Sequence, residues 1–190
     1  MPVTILDPRT ALIVVDLQKG LMGVVPSTIW DPLIGRAHAL VTAFRARNLP
    51  IVIVTVDGTA PGRTEQGRHF EAPPGFADPV DELDPQPGDI LVRKQRWGAF
   101  THSDLEQTLR SIGVTQVVVI GVATSIGVES TARQAYEAGF NVTLATDAMA
   151  DLSAEMHDHS IAAIFPRLGE TGLASEIVAL LGETGIQMPA

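Results

Sequence analysis

The 190-residue sequence predicts an α/β domain of three layers, αβα, built on a doubly wound, mostly parallel sheet. Two observations lead there. Five short apolar runs rich in Val and Ile carry no polar face, as strands covered on both sides must. Stretches with helical periodicity separate them, and strand and helix in alternation imply right-handed crossovers and a parallel sheet.

The expected strands are Ala11 to Val15, Ile51 to Thr55, Ile90 to Val92, Val117 to Ile120 and Val142 to Ala145. Helical patterns run over Pro32 to Arg47, Ser103 to Ile112 and Ser125 to Ala138, and two more lie between Ser153 and about Leu181, broken around Pro166 and Gly169. The segment 57–88 departs from this rhythm, with many prolines and glycines and little periodicity. Such a length without elements forms a lid, a pocket wall or a subunit contact, or else a packed irregular excursion. A single domain over 1–190 is expected.

Composition limits the function. A formal net charge of -9 and a 45% hydrophobic content describe a well-buried acidic protein whose field repels nucleic-acid backbones and anionic membranes, leaving a small molecule as the expected partner. The chain has no cysteine, which rules out disulfides, thiolate metal sites and cysteine catalysis. No apolar run approaches the roughly 18 residues of a membrane helix, and the first ten residues lack a leader pattern, so a cytoplasmic location is expected.

In open α/β sheets ligands sit at the carboxyl edge of the strands, and three segments are delivered there. Asp16 follows the first strand in Ala-Leu-Ile-Val-Val-Asp-Leu-Gln. A carboxylate in such partly apolar surroundings can act as a general acid or base, or can simply cap or brace a loop. Lys94 follows the third strand among three cations in four residues. Turned inward it would tune a carboxylate or bind an anion; turned outward it belongs to a solvated basic turn, with Trp97 and Phe100 as ordinary packing. The run Val117 to Thr131 passes from strand through small residues into a helix, whose first amides can receive an oxyanion or carboxylate, with Thr124 or Ser125 as an N-cap.

Asp16 with Gln18, Lys94 ahead of Gly98-Ala99-Phe100, and the stretch from Gly121 through Ser125-Ile126-Gly127 to Gly139 together resemble the isochorismatase-like, or cysteine hydrolase, superfamily along almost the whole chain. That resemblance implies a three-layer α/β fold, an oligomeric assembly (a homodimer or higher) and an Asp-Lys-Cys site that hydrolyses amides. Asp16 and Lys94 match, while the nucleophile position falls on Gly127. The resemblance also implies a non-proline cis peptide between Val122 and Ala123, with Gln18, Val122, Ala123 and Thr124 around the substrate or oxyanion. Glycine cannot form a thioester, so the amidase route is closed. Members that lack the cysteine hydrolyse a vinyl ether instead, the Asp protonating an alkene carbon before water adds. A cysteine-independent hydrolase acting on a small anionic metabolite is therefore the favoured expectation, with no cofactor.

The metal-binding branch of the family carries histidines after the second strand, where this chain has Thr55-Val-Asp57-Gly-Thr-Ala, and His157 and His159 point to different helix faces, so no metal is expected. Two alternatives stay open. Ser125 with Asp147 and His157 follows the chain order of a serine hydrolase triad. A non-catalytic binding protein using the same pocket is the other.

Overall fold

A computed structural model of the chain describes residues 3–65 and 70–183. Residues 66–69 of the Pro/Gly-rich segment and the end of the chain, 184–190, lie outside the described residues. Six strands form one sheet: β1 (Thr10–Val15), β2 (Ile51–Val56), β3 (Ile90–Lys94), β4 (Gln116–Val122), β5 (Asn141–Ala150) and β6 (Glu170–Gly172), in the order β3-β2-β1-β4-β5-β6. Every pairing is parallel, so the expected "mostly parallel" sheet is wholly so.

The α-helices among the described residues are α1 (Ser27–Ala46), α2 (Leu105–Ser111), α3 (Glu129–Glu137), α4 (Ala154–His159) and α5 (Ala174–Glu183). They cover both faces, which explains the unbroken apolar strands. On β1, Leu12 and Val14 enter a core with Leu33, Leu40 and Phe44 of α1 and Ile177 of α5. Their neighbours Ala11, Ile13 and Val15 enter a second core with Leu105 and Leu109 of α2 and Ala132 and Ala135 of α3. The period-two alternation of a strand thus feeds two cores at once.

Several boundaries differ from the sequence expectations. Helix α1 starts at Ser27, ahead of Pro32, which sits inside the helix. The amides of Ile29 and Trp30 both donate to the Pro26 carbonyl, so Pro26, and not Pro32, marks the start. Strand β6 escaped detection because three residues, Glu-Thr-Gly, offer no apolar run. The expected helix from Ser125 opens with a wider coil over Thr124–Val128, closed by the Val128 amide on the Ala123 carbonyl, and becomes α-helical only at Glu129. Neither Thr124 nor Ser125 serves as an N-cap; Ala123 and Val128 hold those positions without side-chain cap bonds.

The later part of the Pro/Gly-rich segment is packed. Ala77, Val80 and Leu83 are buried, and Val80 donates its amide to the Leu17 carbonyl. No helix among the described residues is long and apolar enough to cross a membrane. The strand order places β1 beside β4, with β2 and β3 on one side and β5 and β6 on the other. That reversal opens a crevice at the carboxyl ends of β1 and β4.

Candidate active site

Asp16 leaves β1 in the left-handed region, at φ 56°, which an L-residue enters only when its surroundings hold it there. Its amide donates to the Val54 carbonyl at 2.9 Å, and its own carbonyl accepts from Gln18 at 3.0 Å. Gln18 is fully buried and ties the ends of β1 and β2 together. Its Nε2 donates to the carbonyls of Val56 and Phe76, and its Oε1 accepts from the Val56 amide at 2.7 Å. The side chain expected to meet substrate is thus engaged with backbone on both of its polar atoms.

Lys94 is the last residue of β3 and turns inward. On this edge strand Val92 and Lys94 are buried while Leu91 and Arg93 are exposed, so strand alternation sends the ammonium under the sheet edge. Its Nζ donates to Asp16 Oδ2 at 2.7 Å, and the two side chains are 2% and 7% exposed. The solvated-turn alternative fails for Lys94 itself, though Arg93 is exposed and reaches Asp57 at 3.8 Å, and Arg96 is half-buried. Trp97 is not packing either, being 64% exposed, whereas Phe100 does pack on the Phe140 ring.

Burial pushes the Asp16 carboxyl up from 3.8 to about 6; the charge of Lys94 and its hydrogen bond pull the other way without overcoming desolvation. The second oxygen, Oδ1, is buried and has no hydrogen-bond partner. Asp16 is therefore a buried carboxyl near its titration point at neutral pH, with one oxygen on a cation and one unengaged.

The turn after β4 approaches from the other side. Gly121, at φ 123°, lies against β1 so closely that a Cβ there would collide with the Val15 carbonyl. The Val122–Ala123 peptide is cis, as the resemblance implied. Gly127 then faces Asp16: a Cβ built on it would stand 3.0 Å from Asp16 Oδ2, 3.0 Å from Val15 Cγ1 and 3.2 Å from the Val122 carbonyl oxygen. Asp16, Lys94 and Gly127 therefore meet at one point of this edge.

The turn is braced by hydrogen bonds that sequence reading missed, and by Asp151, which it did not single out. Buried Asp151, just past β5, accepts the Ser125 amide at 2.6 Å and the Leu152 amide at 2.7 Å. The Ser125 amide, one of those expected at an oxyanion, is therefore already engaged. Thr124, fully buried, shares a 2.8 Å hydrogen bond with His157 Nδ1 on α4. Thr131 donates to the Gly127 carbonyl at 2.7 Å and accepts from Ala99, and Gln134 accepts from Phe100, pinning the stretch after Lys94 onto α3. No spacing rule reveals the bonds from Asp151 to Ser125, His157 to Thr124, Ala99 to Thr131 and Phe100 to Gln134, which join residues 26 to 34 apart.

The serine triad does not assemble. His157 bonds Thr124, the Ser125 hydroxyl has no partner, and Asp147 is engaged by Arg36 at 3.0 Å and by the Ala174 amide. Among the described residues no three His, Cys, Asp or Glu side chains come together to hold a metal ion.

The chain is similar to known proteins in sequence and in fold. The isochorismatase domain family matches residues 10–176. An uncharacterized isochorismatase family protein of Bacillus subtilis, YwoC, is 39% identical over 178 residues, covering 90% of this chain and 93% of that protein. The phenazine biosynthesis protein PhzD of Pseudomonas fluorescens is 34% identical over 161 residues, 80% of this chain and 77% of its own length. The structure of an isochorismatase family protein from Burkholderia thailandensis superposes with a TM-score of 0.88 at 35% identity, covering 94% of this chain and 98% of that one. With the family matched from the first strand into the last helix, the chain belongs to the isochorismatase family of hydrolases.

Proposed function

We propose that this hydrolase works without a covalent cysteine step on a small metabolite that carries a negative charge, cleaving a vinyl ether or a related bond with Asp16 as general acid. The observation that carries this reading is the Asp16 carboxyl itself. It is buried, raised to about 6, paired with Lys94 at 2.7 Å, and faces the position where Gly127 has no side chain.

The sequence contains no cysteine, so no thioester can form; in this reading Gly127 takes the position of the family's nucleophile. A Cβ there would already crowd Asp16 Oδ2 and Val15 Cγ1 at 3.0 Å, so the glycine keeps the approach to Asp16 clear and does not itself house the substrate. Protonated Asp16 gives its proton to the terminal carbon of the alkene, the double-bond electrons form the new C–H bond, and positive charge develops at the ether carbon. Water adds to that carbon and loses a proton, and the hemiketal collapses to a ketone and an alcohol. Lys94 holds the carboxylate that Asp16 becomes and favours an anionic group on the substrate nearby. Gln18 fixes the strand ends that aim Asp16, and Thr124 fixes the turn through His157. Val122 and Ala123 line the approach as backbone.

The test is a product assay with isochorismate and other carboxyvinyl ethers, comparing the native chain with Asp16→Asn. Turnover by the native chain and its loss in the variant is the expected result. Turnover that survives Asp16→Asn removes the reading, and tight binding without any product identifies a binding protein instead.

A further inference from the structure

Among the described residues three buried side-chain atoms lack a hydrogen-bond partner, and two of them, Asp16 Oδ1 and Ser125 Oγ, belong to the residues around Gly127. An unpartnered buried polar atom is unfavourable in the folded chain, so two at one site point to groups that a ligand completes. The serine carries no such duty in the acid chemistry proposed above. It lines an open hollow of about 960 Å³ beside the turn.

The lining of that hollow has a distinct chemistry. Trp97 and Met156, 64% and 40% exposed, give it aromatic and apolar walls. Glu65, Glu129 and Glu155 also line it, with His159 as the one basic side chain, and no lysine or arginine does so among the described residues. Glu129 is already satisfied, by Arg133 at 2.9 Å and by the buried Ser160 hydroxyl at 2.7 Å. Glu155 and Glu65 keep the field negative. A carboxylate there would be repelled, whereas an ammonium or hydroxyl would be received beside an aromatic face.

Resting on the proposed reaction for which end of the substrate lies against Asp16, we infer that Ser125 is a substrate-recognising hydroxyl and that the hollow takes the distal end of the substrate, an apolar or cyclic portion bearing an ammonium or neutral hydrogen-bond donor. The substrate is then charged oppositely at its two ends, negative toward Lys94 and positive or donor-bearing toward Glu155. This explains an exposed tryptophan on the rim and a half-buried serine whose buried hydroxyl oxygen has no internal partner.

Three benzoates of one shape test the assignment: 3-(aminomethyl)benzoate, 3-hydroxybenzoate and isophthalate, each titrated into the full chain by calorimetry. Quenching of Trp97 fluorescence locates the binding, because Trp30 is buried in the core. The ammonium compound is expected to bind tightest and isophthalate roughly tenfold or more weaker. Glu155→Gln is expected to shrink that gap to under about threefold. Ser125→Ala is expected to weaken the ammonium compound about fivefold while leaving the melting temperature unchanged or raised, since it removes an unpartnered polar atom. A role in folding alone would instead lower the melting temperature and leave the ranking intact, which overturns the inference. So does isophthalate binding as tightly as the ammonium compound, a gap that Glu155→Gln leaves untouched, or binding of none of the three below about 10 mM. Turnover enters none of these measurements, so they fail or succeed apart from the Asp16→Asn assay.

Discussion

The two ends of the central strands bury polar side chains in opposite ways. At the amino edge, Thr10 opens β1 and Gln116 opens β4, exposed by 0% and 3%. The Gln116 Oε1 accepts from the Thr10 hydroxyl and the Asp7 amide, both at 2.6 Å, and its Nε2 donates to Thr143 at 3.1 Å and to the Ile5 carbonyl at 3.2 Å. Every polar atom of that amide is satisfied, by neutral partners. At the carboxyl edge of the same strands, Asp16 holds a buried charge with one partner and leaves Oδ1 without any. The satisfied end fixes which strands meet. The unsatisfied end is held in an unfavourable state by the rest of the fold, which the proposed acid role of Asp16 requires.

The contrast is broken most sharply at Asp16. Asp16→Asn keeps the shape and removes the proton donor, and turnover is expected to fall about 10²- to 10⁴-fold in steady-state assays. At the opposite edge Gln116→Leu leaves several buried partners unpaired. It is expected to lower unfolding free energy in urea by about 2 kcal/mol or more while the rate stays within about threefold of native.

Lys94→Met sharpens the comparison through pH. Asp16 titrates at about 6 in the folded chain against an ordinary 3.8, so the folded state binds the proton more tightly. Its contribution to stability is full below the ordinary value and is lost as pH rises through about 6. Lys94 pulls that value down, so removing the lysine raises it further. Two results are expected: the fall in activity with rising pH moves to higher pH, and the stability deficit of the variant widens as pH climbs above about 6, reaching about 3 kcal/mol. An unmoved pH profile would separate Lys94 from the acid.

The smallest effect is expected at Gly127. In Gly127→Ala the new methyl stands 3.0 Å from Asp16 Oδ2 and Val15 Cγ1, so those neighbours must give by a few tenths of an ångström. Turnover is expected to drop about tenfold by occlusion of the space beside Asp16, with unfolding free energy changed by no more than about 1 kcal/mol.

What could be read from the chain followed local rules. Local rules put Lys94 at the right strand end but leave its direction open between pocket and solvent. Its alternation with buried Val92 carried the answer, yet the expected strand stopped at Val92, two residues short. The sixth strand was lost because its pairing with Thr143, Leu144 and Ala145 makes it a strand, not its composition. Gln18 was recognised as part of the site, but its engagement with Val56 and Phe76 depends on how the 57–88 segment returns to β1.

By itself the sequence determined the covered parallel sheet, the absence of any thiol, and the delivery of Asp16, Lys94 and the Gly127 turn to one edge. Those follow from side-chain periodicity and residue chemistry, which act over a few neighbours. Only the tertiary structure decided that Lys94 meets Asp16 at 2.7 Å, that Asp151 and His157 brace the turn, and that Ser125 is left without a partner. Contacts between residues tens of positions apart depend on strand order and packing, and burial raises a carboxyl only once the whole fold has closed around it.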